Sequence, residues 1–192
     1  MNAVARARMR SVLLAVGSVF IFACGTLGPS GPSGNSRNNP GSAGGDGGAF
    51  KPATPISDVC SLLTVSDVET ILPGARPGVE QQTPPTADLG FWSRDCKWDV
   101  SDTSVQAIEL VIFGATTEQG LLGLKAAAHS GKTNSSVSGL GTDARFWAED
   151  TDNGLWALNG SVSVDITAYF LSPMLTEAQL HPLVAKVLDQ IK

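Results

Sequence analysis

The chain has 192 residues, with 13 basic side chains against 18 acidic ones and a formal net charge of −5. Three of the arginines, Arg6, Arg8 and Arg10, stand in the first ten residues; without them 10 basic residues face 18 acidic ones, a balance of −8. That excess argues against nucleic acid and against broad attachment to anionic lipid. The length leaves room for one domain behind a leader.

The three arginines precede an apolar run, Val12 to Ala23, that ends in Ile21-Phe22-Ala23-Cys24-Gly25. A basic start, an apolar middle and a small residue before the cut make a secretory signal. The run is about a dozen residues, short of the ~20 that a spanning helix needs. The expectation is a cleaved leader over residues 1–23 rather than a lasting anchor. Ile21, Ala23 and Cys24 also fit a lipobox, in which the Cys24 thiol takes a lipid and becomes the new N-terminus, while Phe22 departs from that pattern. The competing reading is an ordinary signal peptide with a cysteine at its end by chance. Each buried CH₂ contributes about 0.8 kcal/mol, so two acyl chains suffice for stable attachment. The expected location is the cell membrane, held through the lipid on Cys24 and facing the extracytoplasmic side.

Three cysteines occur: Cys24, Cys60 and Cys96. With Cys24 lipidated, the other two form an even pair in an oxidising setting, and a Cys60–Cys96 disulfide is expected. A metal pair or a reactive thiol are the alternatives, with only His129 and His181 to support either. Residues 24–55 are dominated by Gly, Ser, Pro and Asn. Such a segment buries too little surface to offset its conformational entropy and is expected to be a disordered tether, roughly 30 Å from end to end. Residues 56–192 are the expected single domain.

Within that domain Thr64 is a good N-cap, Asp67 stands three residues on, and Leu63 and Val68 are placed as a hydrophobic staple, so a helix is predicted from Thr64 to Leu72. Pro73-Gly74 ends it, and the stretch to Gly90 reads as a surface loop. Phe91 to Val100 alternates, with Trp92, Arg94, Cys96, Trp98 and Val100 on one side; with the run Ser104 to Phe113 it forms a hairpin. Thr116 opens a T-x-x-Q capping box and a helix through Leu121, Leu124 and Ala128, which Gly120 and Gly123 weaken. Ser130 to Ser138 reads as polar loop. Strands follow at Ala144–Glu149, Leu155–Leu158 and Ser161–Leu171, bracketed by Asp152-Asn153-Gly154 and Asn159-Gly160 as turns, since Asn and Gly tolerate positive φ. A last helix starts near Thr176, with Leu180, Val184, Val187, Leu188 and Ile191 as its stripe and Pro182 disturbing its start. The predicted fold is α+β: a curved antiparallel sheet of about five strands packed by helices on one face.

The leader and tether, Cys60-Ser61-Leu62-Leu63-Thr64, Cys96-Lys97-Trp98 and Gly139-Leu140-Gly141-Thr142-Asp143-Ala144 together resemble actinobacterial lipoproteins of unknown function. The resemblance spans most of residues 58–192. It implies a Cys-x-Leu-Leu helix start and a Cys-x-Trp strand paired by a disulfide, on an envelope-anchored domain, and it brings no catalytic residues. More loosely, the chain is similar to extracytoplasmic sensor domains of mycobacterial-type kinases.

Sites of chemistry are few. His129 and His181 have no neighbouring signature of a nucleophile and an orienting carboxylate, and no H-E-x-x-H, G-x-S-x-G or Ser-x-x-Lys motif occurs. Asp150-x-Asp152 begins like a calcium loop, but Gly154 replaces a ligand and position twelve is Ser161, so a solvated hairpin tip is the better reading. Trp98 is expected to pack on the disulfide, Trp147 and Trp156 to lie near each other, and Trp92 and Trp156 are candidate ligand contacts. Asn134-Ser135-Ser136 and Asn159-Gly160-Ser161 match the glycosylation sequon but are expected to be bare. No catalytic residue, metal or cofactor is predicted. The expected function is a lipid-anchored, non-catalytic domain that binds an envelope ligand or protein. The alternatives are a sensor or accessory subunit using the wet face of the sheet and, behind it, an envelope hydrolase.

Overall fold

The computed structural model describes residues 49–81, 87–129 and 134–191. These lie in one compact unit, Asp46–Lys192. The leader, Cys24 and residues 24–48 of the expected tether fall outside the described residues. Ordered packing starts before residue 56: Ala53 is buried, and its N–H donates to the Ala115 carbonyl at 2.8 Å.

Among the described residues seven strands form one antiparallel open sheet in the order β1-β2-β3-β7-β6-β5-β4. They are β1 (Val79–Gln81), β2 (Phe91–Asp99), β3 (Ala107–Ala115), β4 (Asn134–Ser136), β5 (Asp143–Ala148), β6 (Asp152–Asn159) and β7 (Val162–Tyr169). Class and hairpins agree with the sequence reading, but the count of about five is too low. The two missed strands are the edges. Each pairs over three residues, and their sequences, Val-Glu-Gln and Asn-Ser-Ser, carry no apolar alternation because an edge strand needs only backbone pairing to join.

The Asp152-Asn153-Gly154 turn is also corrected. These residues start β6, and the connection from β5 is 149–151. Asn153 is 1% exposed and its side-chain amide donates to the Leu175 carbonyl. Gly154 faces Trp147 across the pair, where a Cβ would stand 2.7 Å from the indole. Both residues serve packing here, not positive φ. Asn159-Gly160 does turn as expected, with Gly160 at φ +60°.

The inner face of the sheet carries Cys96, Trp98, Ile108, Leu110, Ile112, Leu155, Val164 and Ile166 in one core. Against it lie the 3-10 turn Cys60–Leu62, α1 (Val65–Glu69) and α3 (Glu177–Gln190), which contribute Leu62, Val68, Leu180, Val184 and Val187. Thr64 and Asp67 form the expected capping box at α1, with Leu63 and Val68 buried on either side of it. Thr176 and Gln179 form a second box at α3, which runs through Pro182 without ending. Lys186 reaches Asp67 at 2.6 Å, and the Gln190 side chain donates to the Leu62 carbonyl at 2.9 Å. The last helix is thereby fastened to the first turn.

Helices do not all share that face. α2 (Glu118–His129) ends with His129 on Asp143 at 2.8 Å, and Asp143 is in register with Leu158 and Ser163, on the opposite side from the Leu155–Ile166 row. Its buried Leu124 stays outside the main core. The cap is Thr117 rather than Thr116: its hydroxyl accepts from the Gly120 N–H at 3.0 Å. Gly120 is required by contact, since a Cβ there would meet the Gly90 carbonyl oxygen at 1.9 Å.

Candidate functional site

The turn that carries Cys60 is shaped locally. The Asp58 carboxylate accepts from the Ser61 N–H at 3.1 Å, and the Ser61 hydroxyl donates to the Asp58 carbonyl at 2.9 Å. On β2 the two-residue period places Cys96 and Trp98 side by side on the inner face, both buried. Cys60 and Cys96 are joined in a disulfide with Cα atoms 5.2 Å apart. Neither is available as a metal ligand or a reactive thiol.

Beside this bond opens a cleft of about 340 Å³, lined among others by Asp58, Cys60, Leu63, Val65, Gly78 and Trp98. Gly78 comes from the stretch read as a surface loop. Its backbone rests on the disulfide and the indole, where a Cβ would stand 2.6 Å from Cys96 Sγ and Trp98 Nε1. Nothing in the local sequence around Pro77-Gly78 marks this packing, because the residues that require it are some twenty positions away.

Trp92 and Trp156, the candidate ligand contacts, lie on opposite faces and share no pocket. Trp92 packs on the inner side across Gly114, where a Cβ would stand 2.1 Å from its ring, and its indole N–H donates to the Ala53 carbonyl at 3.2 Å. Trp156 is buried on the outer face, in register between Arg145 and Asp165. Trp147 and Trp156 share that face as diagonal neighbours on paired strands. Three tryptophans thus lie against glycines, Trp92 on Gly114, Trp147 on Gly154 and Trp98 on Gly78.

The outer face mixes buried Trp147, Trp156 and Leu158 with polar groups. Tyr169 donates to the Glu109 carboxylate at 2.6 Å, and burial together with that carboxylate pushes the phenol's pKa up, so it stays protonated. Asp143 bridges His129 and Arg145, the latter at 3.3 Å, and Arg145 donates on to Ser136 at 3.0 Å. His129 therefore meets a carboxylate, but among the described residues no hydroxyl or thiol bonds its other ring nitrogen. His181 is 3.5 Å from the Ser138 carbonyl oxygen, at the inner-face helix. Asp150 is exposed at the 149–151 connection, and among the described residues no group of three or more His, Cys, Asp or Glu side chains could hold a metal ion. On the inner side, Lys186 and the Thr64 cap hold the Asp67 carboxyl below its ordinary pKa of 3.8.

Among the described residues no helix is long and apolar enough to cross a membrane. No protein-family model matches this chain, and no curated protein or solved structure matches it either.

Proposed function

We propose that the chain is a lipid-anchored extracytoplasmic lipoprotein whose α+β domain binds a ligand or a protein and catalyses no reaction. The observation that carries this reading is Cys24, placed at the end of a basic and then apolar leader, in a chain whose other two cysteines are spent on each other. A domain disulfide suits the oxidising side of a membrane, and the junction cysteine is the thiol left over. The resemblance to actinobacterial lipoproteins of unknown function supports the same placement.

The second reading, a sensor or accessory subunit of an envelope enzyme or transporter, is favoured by the outer face of the sheet. There Lys97 and Glu109 remain half-buried rather than covered. An envelope hydrolase is the weakest reading, since the His129–Asp143 pair has no nucleophile bonded to it among the described residues.

The test is Cys24→Ser in an actinobacterial host fed a radiolabelled fatty acid. The expected result is loss of the label and release of the protein from the membrane fraction. A Cys24→Ser protein that stays in the membrane fraction would remove the lipid anchor. Thiol counting on the unfolded, unreduced chain should find neither Cys60 nor Cys96 free.

A further inference from the structure

We infer that one end of the sheet, where the 100–106 loop, the 149–151 connection and the segment after β7 meet, docks a cationic amphipathic segment of a partner protein. This rests on the reading of the domain as an interaction module and names its surface and the chemistry of its partner. Register brings the three stretches together. Asp99 pairs with Ala107, Ala107 with Tyr169 and Tyr169 with Asp152, and the Phe170 N–H donates to the Thr151 carbonyl at 2.7 Å.

Apolar side chains stand in water at this end: Val105 is 65% exposed, Phe170 49% and Met174 42%. Such residues gathered at one place, with polar residues around them, mark an interaction surface rather than ordinary scatter. Phe170 adds a second sign. Alternation continued past the buried Ala168 would carry Phe170 into the core row. Instead it takes φ +54°, a left-handed conformation that is strained for a bulky side chain, and it stays half in solvent. Packing within the domain therefore does not repay the strain, whereas a ring presented to a partner does.

Charge decides what docks. Glu149 and Asp150 are exposed beside Thr151, and Glu177 opens α3 just beyond Met174. No basic side chain of a described residue pairs with any of the three. Arg76 is already held by Asp99 and Asp102. A partner with lysines or arginines around an apolar stripe is attracted to this rim, whereas anionic lipid and a second copy of the same acidic end are repelled. Residues 24–48 of this chain hold Arg37 as their one basic residue, too little to supply the segment. The chain enters at the other end, where Ala53 bonds to Ala115, about 27 Å along β3 from Ala107 at ~3.4 Å a residue. A partner can thus approach without meeting that entry.

The experiment uses the full chain and a labelled peptide of leucine and lysine in helical period, followed by fluorescence anisotropy. The peptide should bind saturably and more weakly as salt rises, and its counterpart with glutamate for lysine should not bind. Phe170→Gly should lower the affinity at least tenfold while Tm does not fall, and Met174→Ser should lower it several-fold. Glu149→Gln/Asp150→Asn should weaken binding and flatten its salt dependence. Leu89→Ser and Leu122→Ser, exposed near Gly90 at the other end, should leave it unchanged. The inference is overturned if the peptide does not saturate, if Phe170→Gly binds as wild type does, or if the Leu89 and Leu122 variants lose as much. It is also overturned if Phe170 is needed instead for a dimer in sedimentation or for binding phosphatidylglycerol vesicles. Peptide binding that survives Phe170→Gly would keep the interaction module while removing this surface, and none of these results touches the Cys24→Ser outcome.

Discussion

Removing the Cys60–Cys96 crosslink should cost this domain a large share of its stability. The bond spans a sequence separation of 36. A closed loop of that size restricts the unfolded chain by about 4 kcal/mol in the loop-entropy account. In Cys60→Ala/Cys96→Ala the missing sulfur at the wholly buried Cys96 adds a cavity cost of about 1 kcal/mol. A domain of this size loses roughly 3–5 °C of Tm per kcal/mol, so a fall on the order of 15–25 °C is expected. Thermal unfolding followed by circular dichroism, for the oxidised, reduced and doubly substituted proteins, measures it. The reduced protein should fall slightly less than the alanine variant, because it keeps both sulfur atoms in the core. A Tm lowered by less than about 3 °C, with both thiols titrated as free, would refute the loop-entropy reasoning.

Three further outcomes follow from contacts already described. Asp67→Asn removes the α1 cap and the tie to Lys186, and should cost about 1–2 kcal/mol in urea unfolding near neutral pH. Since the folded Asp67 pKa is lowered, its contribution is whole above the ordinary 3.8 and disappears as pH falls through the folded value; wild type and variant should therefore converge in stronger acid. Gly120→Ala should destabilise by about 2 kcal/mol or more, because its Cβ meets the Gly90 carbonyl at 1.9 Å. Gly123→Ala, in the same helix with nothing within 4 Å of its Cβ, should gain up to about 1 kcal/mol; equal shifts in urea midpoint for the two would contradict this account. Phe170 holds a left-handed φ of +54° while 49% exposed, so Phe170→Gly should raise Tm by relieving roughly 1 kcal/mol of strain.

What could be read in the sequence was local chemistry and long apolar alternation. The Thr64–Asp67 capping box, the β2–β3 hairpin and the α3 stripe all depend on neighbours in sequence, and they appear as expected. β7 keeps its apolar row through Val164, Ile166 and Ala168, but it ends at Tyr169 with Phe170 exposed, and Ser163 and Thr167 of the row expected to be wet are buried. The edge strands β1 and β4 lack side-chain signals because their stabilisation is backbone pairing. Asn153-Gly154 misled for a sharper reason. A pair that permits positive φ serves equally well where an amide must reach Leu175 and a bare α-carbon must admit Trp147. The placement of α2 on the far face depends on Gly120 against Gly90 and His129 against Asp143, contacts that no local period encodes. At the cleft, Cys60, Cys96 and Trp98 were legible as a unit. Gly78, which lies over them from a non-periodic stretch, was not.

The strand order has a consequence for assembly. β2–β3 and β5–β6–β7 are each built from neighbours in sequence, but the sheet becomes one only where β3 meets β7, pairing Ala107 with Tyr169 and Gly114 with Val162. That seam lies at the centre of the sheet and joins segments about half a domain apart. Closing it requires the loop entropy of everything between to be lost before its contacts form. Substitutions along the seam, such as Ile112→Val or Val164→Ala, should slow folding, whereas changes at the β1 and β4 edges should chiefly speed unfolding. The middle of the molecule is thus the stitch that sets its folding rate, and its margins are free to vary without delaying it.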